Sequence, residues 1–250
     1  MPKPYIINGA DFKTHEGLQD GFVIIGCDGV WDEMSSEEAV QILGELIRKH
    51  AHDEDANLAD LFIERVLMKA VIRLQDTDPD EEDLTLEERN LLSVAYKNVV
   101  GARRASLRII GSIAQKEAEK GTSRTSLVSV YKEKVAEELQ TICYDILSLL
   151  DQTLIKDSLD AEPVVFYQKM KADYYRYLAE FATGQKKTDH SKNAASAYDT
   201  ASETASQLAP THPIRLGLAL NYSVFLYEVQ AESSKACDLA KQAFDEAIAE

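Results

Sequence analysis

The sequence predicts a mainly α-helical, antiparallel bundle over its last two thirds, preceded by a small α/β segment. From Thr85 onward, apolar residues recur at helical spacing in long segments, with almost no strand signal. Breaks near Gly121, Asp160 to Pro163, Gly184 and Pro210 to Pro213 divide that region into roughly five antiparallel helices. Ahead of it, Gly21-Phe-Val-Ile-Ile-Gly-Cys-Asp28 reads as a short apolar strand closed by a tight turn at Gly29. A length of 250 residues with 45% apolar side chains suffices for an ordinary packed core.

Taken in order, Ser35 or Ser36 followed by Glu37 and Glu38 opens a helix over residues 37–49, with its acidic first turn facing the positive end of the helix dipole. An amphipathic stretch, Leu58 to Leu74, follows. The run Asp76-Thr-Asp-Pro-Asp-Glu-Glu-Asp83 is too charged and Pro-broken for a core and reads as a linker. Thr85, with Glu88 three residues later, is a capping-box pattern that starts a long helix to about Lys120. The expected division is therefore 1–75, a linker at 76–84, and a helical domain over 85–250.

Charge narrows the function. The net charge of −16 argues against nucleic-acid binding. Residues 1–85 hold 20 acidic against 7 basic side chains, and the remainder 23 against 20, so an anion-binding surface is expected in the second part. No apolar run is long enough to span a bilayer and no leader-like segment opens the chain, which makes the cytoplasm the expected location. Cys27, Cys143 and Cys237 fit no metal-ligand or redox spacing and read as buried, reduced thiols.

Along the first long helix, Lys97, Arg104 and Arg108 are spaced by seven and four residues. At about 100° per residue they project from one stripe about 40° wide. Spacing alone fits a solvated basic face as well as an anion site. A second cation separates the two readings: Arg176 stands in Asp173-Tyr-Tyr-Arg-Tyr177, an aromatic-rich segment expected to be packed, where a guanidinium needs a partner. Two guanidiniums and the Tyr177 phenol suit a phosphate carrying about −1.5 to −2 charges.

Longer motifs make this specific. The segment Arg89-Asn-Leu-Leu-Ser-Val-Ala-Tyr-Lys-Asn-Val-Val-Gly-Ala-Arg-Arg104 resembles the third helix of the 14-3-3 family, and Asp173-Tyr-Tyr-Arg-Tyr-Leu-Ala-Glu180 resembles its fifth. Thr211-His-Pro-Ile-Arg-Leu-Gly-Leu-Ala-Leu-Asn221 with Ser223-Val-Phe is similar to its seventh, and Phe244-Asp-Glu-Ala-Ile-Ala-Glu250 to its eighth. The resemblance implies a bundle of helices three to eight of that fold, with no cofactor and no catalysis. It implies that Lys97, Arg104, Arg176 and Tyr177 hold a phosphate, with Arg108 in support. Asn221 is expected to bond the bound peptide's backbone, although a plain helix-surface amide fits its position too. Val94, Leu220 and Val224 form the apolar wall of an amphipathic groove, and Glu180 and Glu228 orient arginine and asparagine side chains. The function so implied is phosphoserine/phosphothreonine-dependent binding of phosphorylated proteins by an adaptor.

Three departures qualify what carries over. The resemblance stops in the eighth helix, so the ninth, which closes one wall of the groove, has no counterpart, and apolar surface on the seventh and eighth is expected to lie exposed. Residues 1–75 do not resemble the first two helices, which supply half of the family's dimer interface. The receiving half survives in Tyr131, Lys134 and Glu138, so pairing with a like chain is an expectation from that half alone. Leu107 stands where the family usually has Trp.

The first segment resembles another family. Gly21-Phe-Val-Ile-Ile-Gly-Cys-Asp-Gly-Val-Trp-Asp32, with Met34 and Glu37-Glu-Ala-Val40, is similar to the type 2C metal-dependent serine/threonine phosphatases. That likeness implies that Asp28 is a ligand for Mn²⁺ or Mg²⁺, yet such a site needs several carboxylates, and neither the Asp-Gly-His-Gly motif nor a later Asp-Asn dipeptide is present. Asp28 is thus an orphan, no metal site is expected, and no phosphatase activity is expected. A phosphatase remnant and a non-binding helical scaffold are the two other readings. Arg103-Arg104-Ala-Ser106-Leu107 also sets Ser106 in a basophilic-kinase context, or leaves it a plain helix serine.

Overall fold

The computed structural model describes residues 34–49, 62, 83–120, 124–156 and 158–249. The chain separates into two compact units, residues 1–99 and 100–250. No strand occurs among the described residues. The expected strand at 21–28, the turn at Gly29, the amphipathic stretch from Leu58 and Asp28 lie outside them, apart from Phe62, which is helical.

In the first unit, α1 spans Ser36–Lys49. Its start is a reciprocal cap: the Glu38 backbone N–H donates to Ser35 Oγ over 3.3 Å, and the Ser35 N–H donates to Glu38 Oε2 over 3.1 Å. The long α2, Leu86–Lys120, opens the same way. Thr85 N–H donates to Glu88 Oε2 at 2.9 Å and Glu88 N–H to Thr85 Oγ1 at 3.2 Å.

In the second unit, the later part of α2 is followed by α3 (Thr125–Leu149), which runs on into a π-helical turn at Leu150–Leu154. Then come α4 (Ala161–Phe181), α5 (Gly184–Ala205), α6 (Pro213–Glu228) and α7 (Ser233–Ala249). Pro163 falls in the first turn of α4, where its missing N–H costs no helical bond. Pro213 takes the first position of α6, and His212 caps that helix by accepting the Ile214 N–H at Nδ1 over 3.3 Å.

One helix boundary carries no breaker. The Gly and Pro breaks leave one last helix, whereas the resemblance expects a seventh and an eighth; the structure has two, α6 and α7, parted at Val229–Glu232 without Gly or Pro. Ala231 supplies the left-handed turn instead, at φ 57°. Val229 and Gln230 N–H groups bond Phe225 O, and Glu232 N–H bonds Leu226 O at 2.8 Å. These bonds satisfy carbonyls that would be orphaned at the end of α6.

α4 packs most extensively on α5, and α6 on α7, with α6 also contacting α4 and α5. Small side chains permit the close approach: Ala172 on α4 faces a core that includes Ala194, Ala197, Ala201 and Ala205 of α5. Tyr198 and Phe225, both fully buried, fill the space between α5 and α6. Cys143 is buried as expected, Cys237 is exposed against expectation, and Cys27 lies outside the described residues. Cys237 opens outward because Ala236 and Leu239 turn to the core from α7 and leave Cys237 on the other side of the helix. Phe244 and Ile248 on α7 and Tyr227 on α6 are exposed, as are Leu127, Val130 and Tyr131 on α3. No described helix is long and apolar enough to cross a membrane.

Candidate anion-binding site

α4 carries the centre of the site on one face. Lys169, Asp173, Arg176, Tyr177 and Glu180 recur three and four residues apart, so each turn adds one polar side chain to the same stripe. α2 brings Arg104 and Arg108 against the end of that stripe. Arg104 Nε and Nη2 lie 2.9 and 2.8 Å from Glu180 Oε2. Arg108 Nη2 donates to the other oxygen, Oε1, over 2.6 Å. Glu180 thus sets both α2 arginines.

Tyr177 is the meeting point of the two guanidiniums. The Arg104 guanidinium carbon lies 4.0 Å from the centre of its ring and that of Arg176 lies 4.7 Å away. Such stacking favours both cations without neutralising either. Burial raises the Tyr177 phenol above its ordinary value, Asp173 adds to the rise, and the two arginines oppose it. The phenol is therefore a protonated donor at neutral pH.

Asp173, among the buried charged residues, is the hub beneath them. Its Oδ1 accepts from Tyr198 Oη at 2.5 Å and from Arg176 Nη2 at 3.3 Å. Its Oδ2 accepts from Lys169 Nζ at 3.0 Å and from Asn221 Nδ2 at 2.8 Å. Burial pushes this carboxyl up, yet Lys169, Arg176 and the Tyr198 bond outweigh it and hold the group below its ordinary value. Arg176 is opposed by burial, but Tyr198, Asp173 and Tyr177 keep it firmly protonated.

Arg104, Arg108, Arg176 and Lys169 face only Glu180 and Asp173 across these contacts, a surplus of two positive charges. Each arginine has five donors, and these bonds leave some in each fork uncommitted. Arg104 and Lys169 are partly exposed, so the surplus is open to solvent.

The structure brings Arg104, Arg108, Arg176, Tyr177 and Glu180 together and ties Asn221 to them through Asp173. Val224 is half-buried one turn after Asn221, and Leu220 is exposed beside it. Glu228 ends α6 exposed, and among the described residues no hydrogen bond or ion pair links it to this cluster. Asn221 is oriented by Asp173. Lys97 and Val94 are exposed on the part of α2 that belongs to the first unit. Ser106 is also exposed on α2.

Sequence reasoning misses Lys169, Asp173 as a shared acceptor, and Tyr198. The spacing Lys169, Asp173, Arg176 is the i, i+4 and i, i+3 pattern of helical ion pairs and is readable. Tyr198, on α5 and 25 residues from Asp173, leaves no local signal.

A family model described as 14-3-3 protein matches residues 60–250, and one described as protein phosphatase 2C matches residues 2–73. The checkpoint signal transducer rad24 of Schizosaccharomyces pombe is 59% identical over 172 residues, covering 68% of this chain and 64% of that protein. The 14-3-3-like protein B of Hordeum vulgare is 60% identical over 173 residues, 68% of this chain and 66% of that one. The 14-3-3 protein 7 of Solanum lycopersicum is 53% identical over 199 residues, 79% and 76% of the two chains. The chain thus spans less than two thirds of the length of the first of these relatives. With a family model matching residues 60–250 and relatives 53–60% identical over about two thirds or more of its length, the chain belongs to the 14-3-3 family.

Proposed function

We propose that this chain is a phosphoserine/phosphothreonine-dependent adaptor that binds phosphorylated proteins in the cytoplasm through an extended phosphopeptide, by recognition and not by catalysis. One observation carries the reading: Arg104, Arg108, Lys169 and Arg176 share only the Glu180 and Asp173 carboxylates across their contacts, a surplus of two positive charges matched to a phosphate monoester of about −1.5 to −2 charges, with Tyr177 between two of the guanidiniums. Arg104, Arg176 and Tyr177 hold the phosphate, with Lys97 seven residues earlier on α2 extending the basic stripe and Arg108 supporting it. Asn221 bonds the peptide backbone, and the exposed Leu220, with Val224, offers apolar contact beside it; Val94, exposed on α2, is retained as an apolar peptide contact. Glu180 holds the arginines in place. Glu228 is retained as a peptide-side contact.

The residue division 1–75, 76–84 and 85–250 belongs to this proposal, as does pairing with a like chain through the exposed Tyr131 surface of α3. Fluorescence anisotropy with a phosphoserine peptide and its unphosphorylated twin tests the main reading. Selective binding of the phosphorylated peptide is expected; equal affinity for both overturns it.

The match of residues 2–73 to a phosphatase family favours one second reading, a metal-dependent phosphatase remnant. Mn²⁺-dependent hydrolysis of a generic phosphoester above a metal-only blank would establish it.

A further inference from the structure

We propose that Tyr198 is a positioning residue of the phosphate site: its hydroxyl fixes the plane of the Arg176 guanidinium from a neighbouring helix. The inference rests on the phosphopeptide reading above and adds a residue to it.

Packing explains the ring of Tyr198 but not its hydroxyl. The ring stacks on Tyr222 at 4.9 Å with 9° between planes and tilts against Phe225 at 5.3 Å, contacts that phenylalanine would make equally well. A buried hydroxyl is unfavourable unless it is bonded. This one makes two bonds, accepting from Arg176 Nε over 3.2 Å and donating to Asp173 Oδ1 over 2.5 Å.

These bonds have a geometric consequence. Asp173 sits three residues before Arg176 on α4 and reaches only Nη2, at 3.3 Å. From the same helix the Tyr177 ring also meets the guanidinium, its centre 4.7 Å from the guanidinium carbon, a face contact without the direction of an N–H bond. The bond at Nε, from α5, adds a second directed contact within the guanidinium plane and so fixes the plane. A fork recognises phosphate through paired N–H groups whose direction is set by that plane. Asp173 also holds Asn221 through its other oxygen, so the hydroxyl that anchors the carboxylate steadies the peptide-side amide as well. Burial and Asp173 raise the Tyr198 phenol, which keeps it the donor to the carboxylate.

The test is Tyr198→Phe in the full chain, read by two measurements. Affinity is taken for a phosphoserine peptide and its unphosphorylated twin, and exchange of the Arg176 side-chain Hε is followed by NMR, its resonance identified with Arg176→Lys. The proposal expects about a tenfold loss for the phosphopeptide, no change for the twin, and at least tenfold faster Hε exchange. Unchanged phosphopeptide affinity, or equal weakening of both peptides with a lower Tm, overturns it in favour of a packing role. Should Tyr198→Phe not fold, the unaltered chain decides: its Arg176 Hε must exchange at least tenfold slower than that of free arginine, and exchange at the free rate overturns the proposal. If the unaltered chain does not discriminate the two peptides, the phosphopeptide reading fails, while the Hε result still judges the positioning role.

Discussion

Arg104 and Glu180, 76 positions apart in sequence, meet with Arg104 Nη2 2.8 Å from Glu180 Oε2, and Arg108 binds the opposite oxygen of the same carboxylate. The two arginines share this partner but differ in solvation: the Arg104 side chain is 18% exposed and that of Arg108 is 59% exposed. Charge pairs in water contribute little, whereas desolvated ones count for more. Arg104→Ala is therefore expected to weaken phosphopeptide binding at least tenfold, about 1.4 kcal/mol, and Arg108→Ala less than about threefold. Anisotropy titrations of both variants check the order; an equal loss would show that exposure does not set their roles.

Asp173 gives an acid-stability prediction. Its carboxyl is held below the ordinary value of 3.8, so the stabilisation is present above that value and disappears as pH falls through the lower, folded one. The native chain should lose stability more steeply than Asp173→Asn on acidification below 3.8. At neutral pH, Asp173→Ala leaves Lys169 and Arg176 without their shared carboxylate and should cost about 3–5 kcal/mol in urea unfolding. Superimposed acid curves for native and Asp173→Asn chains would contradict the assignment.

His190 predicts the opposite end of the mild-acid range. It stacks on Tyr175 at 6.3 Å, its Nε2 lies 3.5 Å from Tyr144 Oη, and its buried Nδ1 meets no hydrogen-bond partner among the described residues. Burial lowers its pKa from 6.5, with Asp189 opposing and Lys186 adding to the fall. The unfolded chain then binds a proton the folded one refuses, so stability declines as pH drops below 6.5 and levels off beneath the folded value. His190→Phe should remove that decline; Tm measured between pH 7.5 and 5 compares the two chains.

Sequence alone makes the helix starts and the arginines of the cluster legible. Thr85 with Glu88 and the break at Pro213 are local signals, and the structure uses the first as a cap and begins α6 at the second. Arg176 stands out because a guanidinium among tyrosines demands a partner, and it has two. Which partners they are is legible only in part. Asp173 lies one turn away, but Tyr198 arrives from another helix, and no periodicity encodes that. Likewise Asn221 meets Asp173, 48 residues earlier, and not the carboxylate at Glu228 on its own helix. The α6–α7 break leaves no local breaker signal, because Ala231 occupies the left-handed position that Gly usually fills, and it is legible only through the separate motifs of the two helices.

The cysteines differ sharply in reactivity. Burial pushes the Cys143 thiol up to about 12, only partly offset by Arg104, whereas Cys237 is exposed on α7. At pH 8 Cys143 is thiolate to about one part in 10,000. In a Cys27→Ser background, maleimide labelling of the folded chain should show a fast phase removed by Cys237→Ser and left intact by Cys143→Ala. A fast phase lost with Cys143→Ala would mean that α3 opens readily around it.

Ala231 offers a stabilising substitution. An L-residue at φ 57° places Cβ close to the following carbonyl, at a cost of about 1–2 kcal/mol that glycine does not incur. Against this, glycine gains more conformational freedom in the unfolded chain, an opposing effect of about 0.4–1 kcal/mol. The steric relief outweighs that loss, because the bonds from Val229, Gln230 and Glu232 N–H groups hold the turn in place and do not involve the alanine side chain. Ala231→Gly should therefore raise stability by about 0.5–1 kcal/mol, read as a higher urea midpoint at unchanged slope. A lower midpoint would mean that the turn relaxes out of the left-handed region in solution, and that the end of α6 is held by α7 packing and not by its cap.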